Sequence, residues 1–373
     1  VCFVCGKIIV GGERQMQTIT LKLELKKPTK EKASMYQKMT EVNTSFSNWL
    51  LNFDGLNTAT SKVFRLFSDR RLPSAVVNQT IREVKSKKKH QKTKKFRRFW
   101  CGFNYQNLHI EKENDLYKVS FPTLKKRIGV PVITTPYQQG WLDRLLTGEL
   151  KQGASELYEK RGRWFVAVSL SFKVEQKLPE TQQKIMGVDL GLRQLAVASI
   201  GTSSLFFRGK EMAFKRRRFA SRRRKLGKAK KLIVIRKSKR KESNWMRDTN
   251  HKVSRQIIKF ALENGVHLIR MEDLTGIRHT GKSRKEAGRN LHSWSHYQLQ
   301  RFIEYKAKME GIAVEYVNPE HTSQTCKCGH IDKRNRHLNQ FHCILCGYQS
   351  HADVNASINI AKAVSGISKK KRC

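Results

Sequence analysis

Four cysteines between positions 326 and 346 constrain this chain more than any other feature. "TCKCGH" supplies Cys326 and Cys328, and "CILCG" supplies Cys343 and Cys346 after an arm of fourteen residues. A segment this short cannot bury a core of its own. Four thiolates beside glycines answer that problem by closing on one tetrahedral metal ion, zinc in a structural site, whose binding then supplies the folding free energy. The first pair is Cys-x-Cys instead of Cys-x-x-Cys, so Cys326 and Cys328 are the weaker ligand assignments, with His321, His330 and His342 as substitutes in reach. The stretch continues "GYQSHADVNASINIAKAV", where Asp353 opens a helical pattern. A carboxylate there is favoured by the helix dipole and can also cap the helix, and with four thiolates on the zinc it is surplus as a fifth ligand.

A second constraint is a carboxylate in an apolar strand. Asp189 ends "IMGVD" within "KIMGVDLGLRQLAVASI", which reads as two strands around a glycine turn. An unpaired buried carboxylate costs several kcal/mol, and no cation adjoins it before Arg193, so a metal ion is the economical partner. Glu272 and Asp273 end a further apolar strand, "VHLIRMED". Neighbours on a strand point to opposite faces, so one of the two can share a site with Asp189; Glu272 is preferred and Asp273 is assigned to the following turn. Phosphodiester hydrolysis gives several acids a reason to converge, because two divalent ions can activate the attacking water and stabilise the leaving oxygen without a protein nucleophile. Mg²⁺, which takes oxygen ligands, suits two or three Asp or Glu residues.

The rest of the chain is read from periodicity. "TITLKLEL" alternates as a strand after Met16, and Met35, Met39, Val42, Phe46, Trp49 and Leu50 recur at helical spacing. Val77, Ile81 and Val84 repeat that spacing behind Ser74 as a predicted cap. "LHIEKENDLYKVSF" reads as a hairpin turning at Asn114 and Asp115, and Trp164 to Val174 alternate in the longest strand. From Thr181 strands and helices alternate, including the amphipathic "HKVSRQIIKFALEN", a helix marked by Leu299, Phe302 and Ile303, and the strand "GIAVEYV". Residues 1–15, with Cys2 and Cys5 in an unmatched Cys-x-x-Cys, are expected to be an extension outside the fold.

Charge identifies the partner class. The chain has 76 Lys and Arg against 30 Asp and Glu, a formal charge of +46, which calls for a polyanion such as nucleic acid. Residues 214–241 hold sixteen Lys or Arg and no acid, so Arg216, Arg217, Arg218, Arg222, Arg223 and Arg224 are predicted nucleic-acid contacts. No apolar run approaches the roughly 18 to 20 residues of a membrane helix, and no signal-peptide pattern is seen. Cysteine usage predicts a reducing compartment.

Together "GVDLGLRQLAVAS", "LIRMEDL", "TSQTCKCGH" with "FHCILCG", and "HADVNASINIA" resemble, in order, the motifs of TnpB. TnpB is the transposon-encoded family of RNA-guided nucleases related to the compact type V CRISPR effectors. The resemblance implies an α/β multidomain chain: an RNase H-like RuvC nuclease domain with an inserted zinc ribbon, preceded by a β-barrel wedge domain with a helical recognition insert. The implied boundaries are 16–28 and 103–180 for the wedge, 29–102 for the insert, 181–320 for the nuclease, 321–350 for the ribbon, 351–368 for the nuclease's last segment and 369–373 for a basic tail. It implies Asp189, Glu272 and Asp353 as catalytic acids holding two Mg²⁺ ions. It also implies a guide RNA, double-stranded target DNA, and a short adjacent DNA motif, for whose readers Asn78, Gln79 and Arg82 are candidates. The expected enzyme is an RNA-guided, Mg²⁺-dependent DNA endonuclease in a prokaryotic cytoplasm, associated with the nucleoid. A DNA-binding regulator without cleavage and a guide-independent, structure-selective nuclease are the alternatives.

Overall fold

The computed structural model describes residues 14–67, 71–91, 93–176, 183–191, 193–274 and 296–363. Cys2, Cys5 and the tail 369–373 lie outside the described residues, as do the turn residues after Leu274. The chain divides into two compact units, Met16–Lys173 and the part from Val174 onward. No helix among the described residues is long and apolar enough to cross a membrane.

The first unit is built on alternation. β1 (Arg14–Leu25) turns Leu21, Leu23 and Leu25 inward, and its backbone begins four residues before Thr18, where the alternation was read. α1 (Lys30–Leu51) is capped by the Thr29 hydroxyl, which accepts from the Lys32 N–H, and α2 (Phe64–Phe67) is a single turn. α3 (Ser74–Gln91) starts at Ser74 itself, with Pro73 accepting the first backbone bonds, so the serine is the first helical residue and not the cap. Val42, Phe46 and Leu50 of α1 pack with Val77, Ile81 and Val84 of α3, the helical spacing seen in the sequence.

Six more strands follow: β2 (Cys101–Phe103), β3 (His109–Glu113), β4 (Leu116–Pro122), β5 (Arg127–Ile133), β6 (Lys151–Lys160) and β7 (Arg163–Glu175). Asn114 and Asp115 turn the β3–β4 hairpin with φ of +46° and +60°, values these two residue types tolerate better than most. α4 (Pro136–Leu146), which periodicity did not mark, opens with Thr135 and Gln138 in a reciprocal capping box. Among the described residues the strands form one seven-stranded sheet in the order β2-β6-β7-β1-β5-β4-β3, with β2 and β3 as its ends where the expected β-barrel would pair them.

The second unit holds a five-stranded sheet of order β10-β9-β8-β11-β12. β8 (Ile185–Asp189), β9 (Gln194–Ile200) and β10 (Ser203–Arg208) form an antiparallel meander, and β11 (Leu268–Glu272) and β12 (Ala313–Val317) add on parallel to β8. Between the two groups run α5 (Lys210–Lys228) and α6 (Leu232–Glu263), with α7 (His296–Met309) between β11 and β12. Met186 and Val188 of β8 and Ile269 and Met271 of β11 share a core with Ile257 and Ile258 of α6 and Leu299 and Ile303 of α7.

The alternate residues of the same strands meet α8 (Ala352–Lys362). A Cβ on Gly187 would lie 1.8 Å from the Ser357 carbonyl oxygen, so only glycine lets the helix backbone lie directly on the strand. Ser357 donates to Ser199 of β9 at 2.6 Å, and Arg270 of β11 donates to the Ala361 carbonyl at 2.8 Å near the helix end. Leading into α8 is a small three-stranded sheet of β13 (Arg336–His337), β14 (Gln340–His342) and β15 (Gln349–His351).

Candidate active site and zinc module

Strand parity selects the acids. Asp189 has the parity of Gly187, and Glu272 that of Arg270, so both carboxylates belong to the face that α8 covers. β8 and β11 are hydrogen-bonded parallel neighbours, paired up to Val188 with Met271, so Asp189 and Glu272 end adjacent strands about 4.8 Å apart. From β8 the chain builds outward to one side through β9 and β10, then returns to build β11 and β12 on the other. Ligands of open α/β sheets bind outside the carboxyl ends of strands where the order reverses in this way.

Asp353 joins them from above. His351 is the N-cap of α8, its Nδ1 accepting from the Asp353 N–H at 3.2 Å, so Asp353 sits in the first turn and is not itself the cap. Its buried carboxylate accepts from Arg336 Nη2 at 2.7 Å. Asp189, Glu272, Asp353, Thr322, Arg336 and Leu338 share one cleft of about 560 Å³. Asp273 does not line it; its N–H bonds the Val317 carbonyl at the end of β12.

The charges in the cleft are unbalanced. Burial, then the negative charges of Glu272 and Asp353, push the Asp189 carboxyl up to about 7, against the partial relief of Arg336 and the Leu190 N–H. Burial raises Glu272 as well, opposed by the Thr322 hydroxyl and Arg336. Thr322 donates to Glu272 Oε1 at 2.5 Å, and Gln300 of α7 donates to the Glu272 carbonyl at 2.7 Å. Three acids share the cleft with two guanidiniums, Arg336 on Asp353 and Arg193, which leaves a negative excess, and their carboxylate oxygens suit a hard divalent cation and not a thiophilic one.

The four cysteines close on one another. Their sulfurs all lie within 4.8 Å, with Cys326 to Cys346 at 3.6 Å and Cys328 to Cys343 at 3.7 Å. A tetrahedron of zinc–sulfur bonds near 2.3 Å requires sulfur separations of about 3.8 Å, so the set could hold zinc, with both sulfurs of the Cys-x-Cys pair in the quartet. His321, His330 and His342 stand outside the quartet. The two loops are alike despite their different spacing. Cys326 N–H bonds the His330 carbonyl and Cys343 N–H the Tyr348 carbonyl, around Gly329 and Gly347 at φ of +87° and +68°.

This module touches the acids at two points. Thr322 at its start holds Glu272, while Arg336 in its middle holds Asp353. Asn355 and Asn359 of α8 donate to the Thr325 carbonyl, and Asn359 also to that of Thr322, tying the start of the module to the helix that follows it. Thr322 and Arg336 were not visible as site residues in the sequence, since their partners are 50 and 17 positions away.

The basic segment forms α5 and the start of α6, separated at Lys230, whose φ is +52°. Its six candidate arginines divide. Arg216 and Arg223 form ion pairs with Glu242 of α6 and brace the two helices, whereas Arg217, Arg218, Arg222 and Arg224 are exposed. The segment itself holds no acid, as read from the sequence, and the acid that pairs with Arg216 and Arg223 is Glu242, the residue immediately after it, reached across the two helices. On α3, Asn78 and Arg82 are exposed one turn apart, while Gln79 donates to Glu83 at 3.1 Å and packs against Gly102.

Residues 168–278 match the family described as "Probable transposase", and residues 296–360 match "Cas12f1-like, TNB domain". Over 64% of its length the chain is 34% identical to the CRISPR-associated endodeoxyribonuclease Cas12f1 of Sulfoacidibacillus thermotolerans, of which it spans 60%. It is 29% identical to the TnpB-like protein MJ0751 of Methanocaldococcus jannaschii over 64% of this chain and 87% of that one. A solved Cas12f1-sgRNA-target DNA complex shares the fold, with a TM-score of 0.65 at 19% identity over 89% of this chain and 82% of that one. In sequence the chain is similar to TnpB-like and Cas12f1 proteins, and in fold to a Cas12f1 complex, the likeness its ordered motifs imply.

Proposed function

We propose that this chain is an RNA-guided DNA endonuclease with a RuvC-like active site of the RNase H fold. The observation that carries the reading is the convergence of Asp189, Glu272 and Asp353 from two strand ends and a helix start onto one cleft with a raised Asp189. Asp189, Glu272 and Asp353 would hold the Mg²⁺ ions, which when bound supply Lewis-acid activation for in-line phosphodiester hydrolysis. The chain's own groups fix that arrangement. Thr322 orients Glu272, Arg336 holds Asp353 and adds positive charge where a phosphate would enter, and Gly187 lets α8 reach the sheet.

Guide RNA and double-stranded target DNA are the proposed partners, in line with the sgRNA and target DNA named for the Cas12f1 complex with the same fold. The exposed arginines of α5 would hold backbone phosphates, and pairing with the guide would supply sequence specificity. Residues 16–28 and 103–180 are assigned to a wedge and 29–102 to a recognition insert, with Asn78 and Arg82 exposed for reading the adjacent motif. Zinc in the cysteine quartet is assigned a structural role.

Purification with co-expressed flanking RNA, followed by challenge with a plasmid library in Mg²⁺, tests the proposal. Cutting beside a short shared motif is expected, together with a bound RNA recoverable by sequencing. Cutting that persists unchanged in Asp189→Ala or Glu272→Ala would place the active site elsewhere.

A further inference from the structure

The cleft has one wall that the acids do not explain. β13 and β14 pair as a hairpin through Arg336 with Phe341 and His337 with Gln340, which leaves Leu338 and Asn339 as a two-residue turn. Leu338 has φ of +55°. Positive φ at the first position of such a turn usually belongs to glycine, and a branched side chain there is strained. A strained leucine is ordinarily justified by burial, yet Leu338 is 59% exposed. Its exposed surface lines the same cleft as Asp189, Glu272 and Asp353.

The turn is also pinned to the catalytic frame on both sides. Arg336, two residues before Leu338, bonds the Asp353 carboxylate at 2.7 Å. Asn339, one residue after it, accepts from the Ala352 N–H at 2.8 Å through its carbonyl and from Arg193 at 3.4 Å through its side chain. An apolar group is thereby held at a fixed offset from three acids, in conflict with local backbone preference. Strain that the surroundings maintain in this way is a mark of a working position.

We propose that Leu338 is a substrate-contact residue that packs against the sugar and base face of the nucleotide flanking the scissile phosphate. The inference rests on the nuclease reading and specifies how that site grips its strand. Apart from its phosphates, a nucleic acid offers an aliphatic side chain only sugar and base faces. A base face is available when the strand is unstacked, so the contact favours an unpaired strand. An aliphatic group donates and accepts no hydrogen bond, so the grip is indifferent to base identity.

The test uses the RNA-loaded protein with Leu338→Gly and Leu338→Phe, assayed on target DNA in which nucleotides near the cut are replaced singly by an abasic analogue. Leu338→Gly suits the backbone, so its melting temperature should equal or exceed that of the wild type. Its KM should rise about three- to tenfold with kcat nearly unchanged. Wild type should lose a similar factor at one abasic position where Leu338→Gly loses nothing further, and Leu338→Phe should keep both the low KM and the abasic sensitivity. Leu338→Gly with wild-type KM, or with undiminished abasic sensitivity, would overturn the proposal. Wild-type protein that cuts no DNA would instead overturn the nuclease reading, and this inference with it.

Discussion

Replacing Asp189 by Asn should stabilise the Mg²⁺-free protein while removing its proposed activity. A carboxyl moved from its ordinary 3.8 to about 7 binds its proton more tightly in the folded chain than in the unfolded one. Its favourable contribution is therefore present at low pH and is lost as pH rises through about 7. At about 1.4 kcal/mol per pH unit, the penalty once both states are ionised reaches about 4 kcal/mol. Water reaching the cleft and relaxation around Asp189 reduce this, and about 2 kcal/mol is the expected gain for Asp189→Asn at pH 8. For a unit of this size that is roughly 4 to 8 °C in melting temperature. The assay is thermal unfolding at pH 5 and pH 8 in Mg²⁺-free buffer without chelator, so that the cysteine quartet is left undisturbed. By pH 5 the wild-type carboxyl is protonated in the fold, and the gap should shrink to about a third. Adding Mg²⁺ should raise wild type and leave Asp189→Asn nearly unmoved. A variant less stable than wild type at pH 8, or a gap independent of pH, would refute the account of the cleft as a site of uncompensated negative charge.

Gly187→Ala places a methyl group against the Ser357 carbonyl, so α8 must lift; about 3 kcal/mol of stability and at least a hundredfold of activity should be lost, read by urea unfolding and single-turnover cleavage. Removing zinc, by chelation or by Cys343→Ser, should abolish activity and expose residues 321–351 to proteolysis, with zinc restoring the chelated wild type; full activity without zinc would show that the module does not position Asp353. Changing Arg217, Arg218, Arg222 and Arg224 together to Gln should leave the melting temperature unchanged and reduce the slope of log affinity against log salt by about 3 to 4, measured by filter binding. Arg223→Gln should instead lower stability by about 1 kcal/mol through loss of its mostly buried partner Glu242.

What was legible in the sequence follows from the range of the forces involved. Period-two alternation marked β1 and β7, and the Asn114–Asp115 turn was readable because both residues tolerate left-handed backbone. Asp189 and Glu272 stood out because a charge at the end of an apolar strand is costly wherever it lies; strand parity said that only one of Glu272 and Asp273 could join Asp189, and the turn that follows Asp273 decided for Glu272. The cysteine quartet was legible from composition, though not the placing of both Cys-x-Cys sulfurs beside the second pair, which goes with the Gly329 turn. Thr322, Arg336 and Leu338 carried no local signal, because their significance comes from where the zinc module folds back over the strand ends. The basic run was legible as charge, but only the pairing of α5 with α6 separates the two arginines that brace the helices from the four that face outward.

Single-turnover cleavage of target DNA by the RNA-loaded protein in Mg²⁺ tests the central claim most directly when four carboxylates are neutralised one at a time. Asp189→Asn, Glu272→Gln and Asp353→Asn are each predicted to lower the rate by at least about a thousandfold, because each removes an oxygen ligand from the proposed metal site. Asp273→Asn, on the opposite face of the same strand end as Glu272, is predicted to cut within a few fold of wild type. Near-normal cutting by any of the first three, or loss in Asp273→Asn as deep as in Glu272→Gln, would contradict the account.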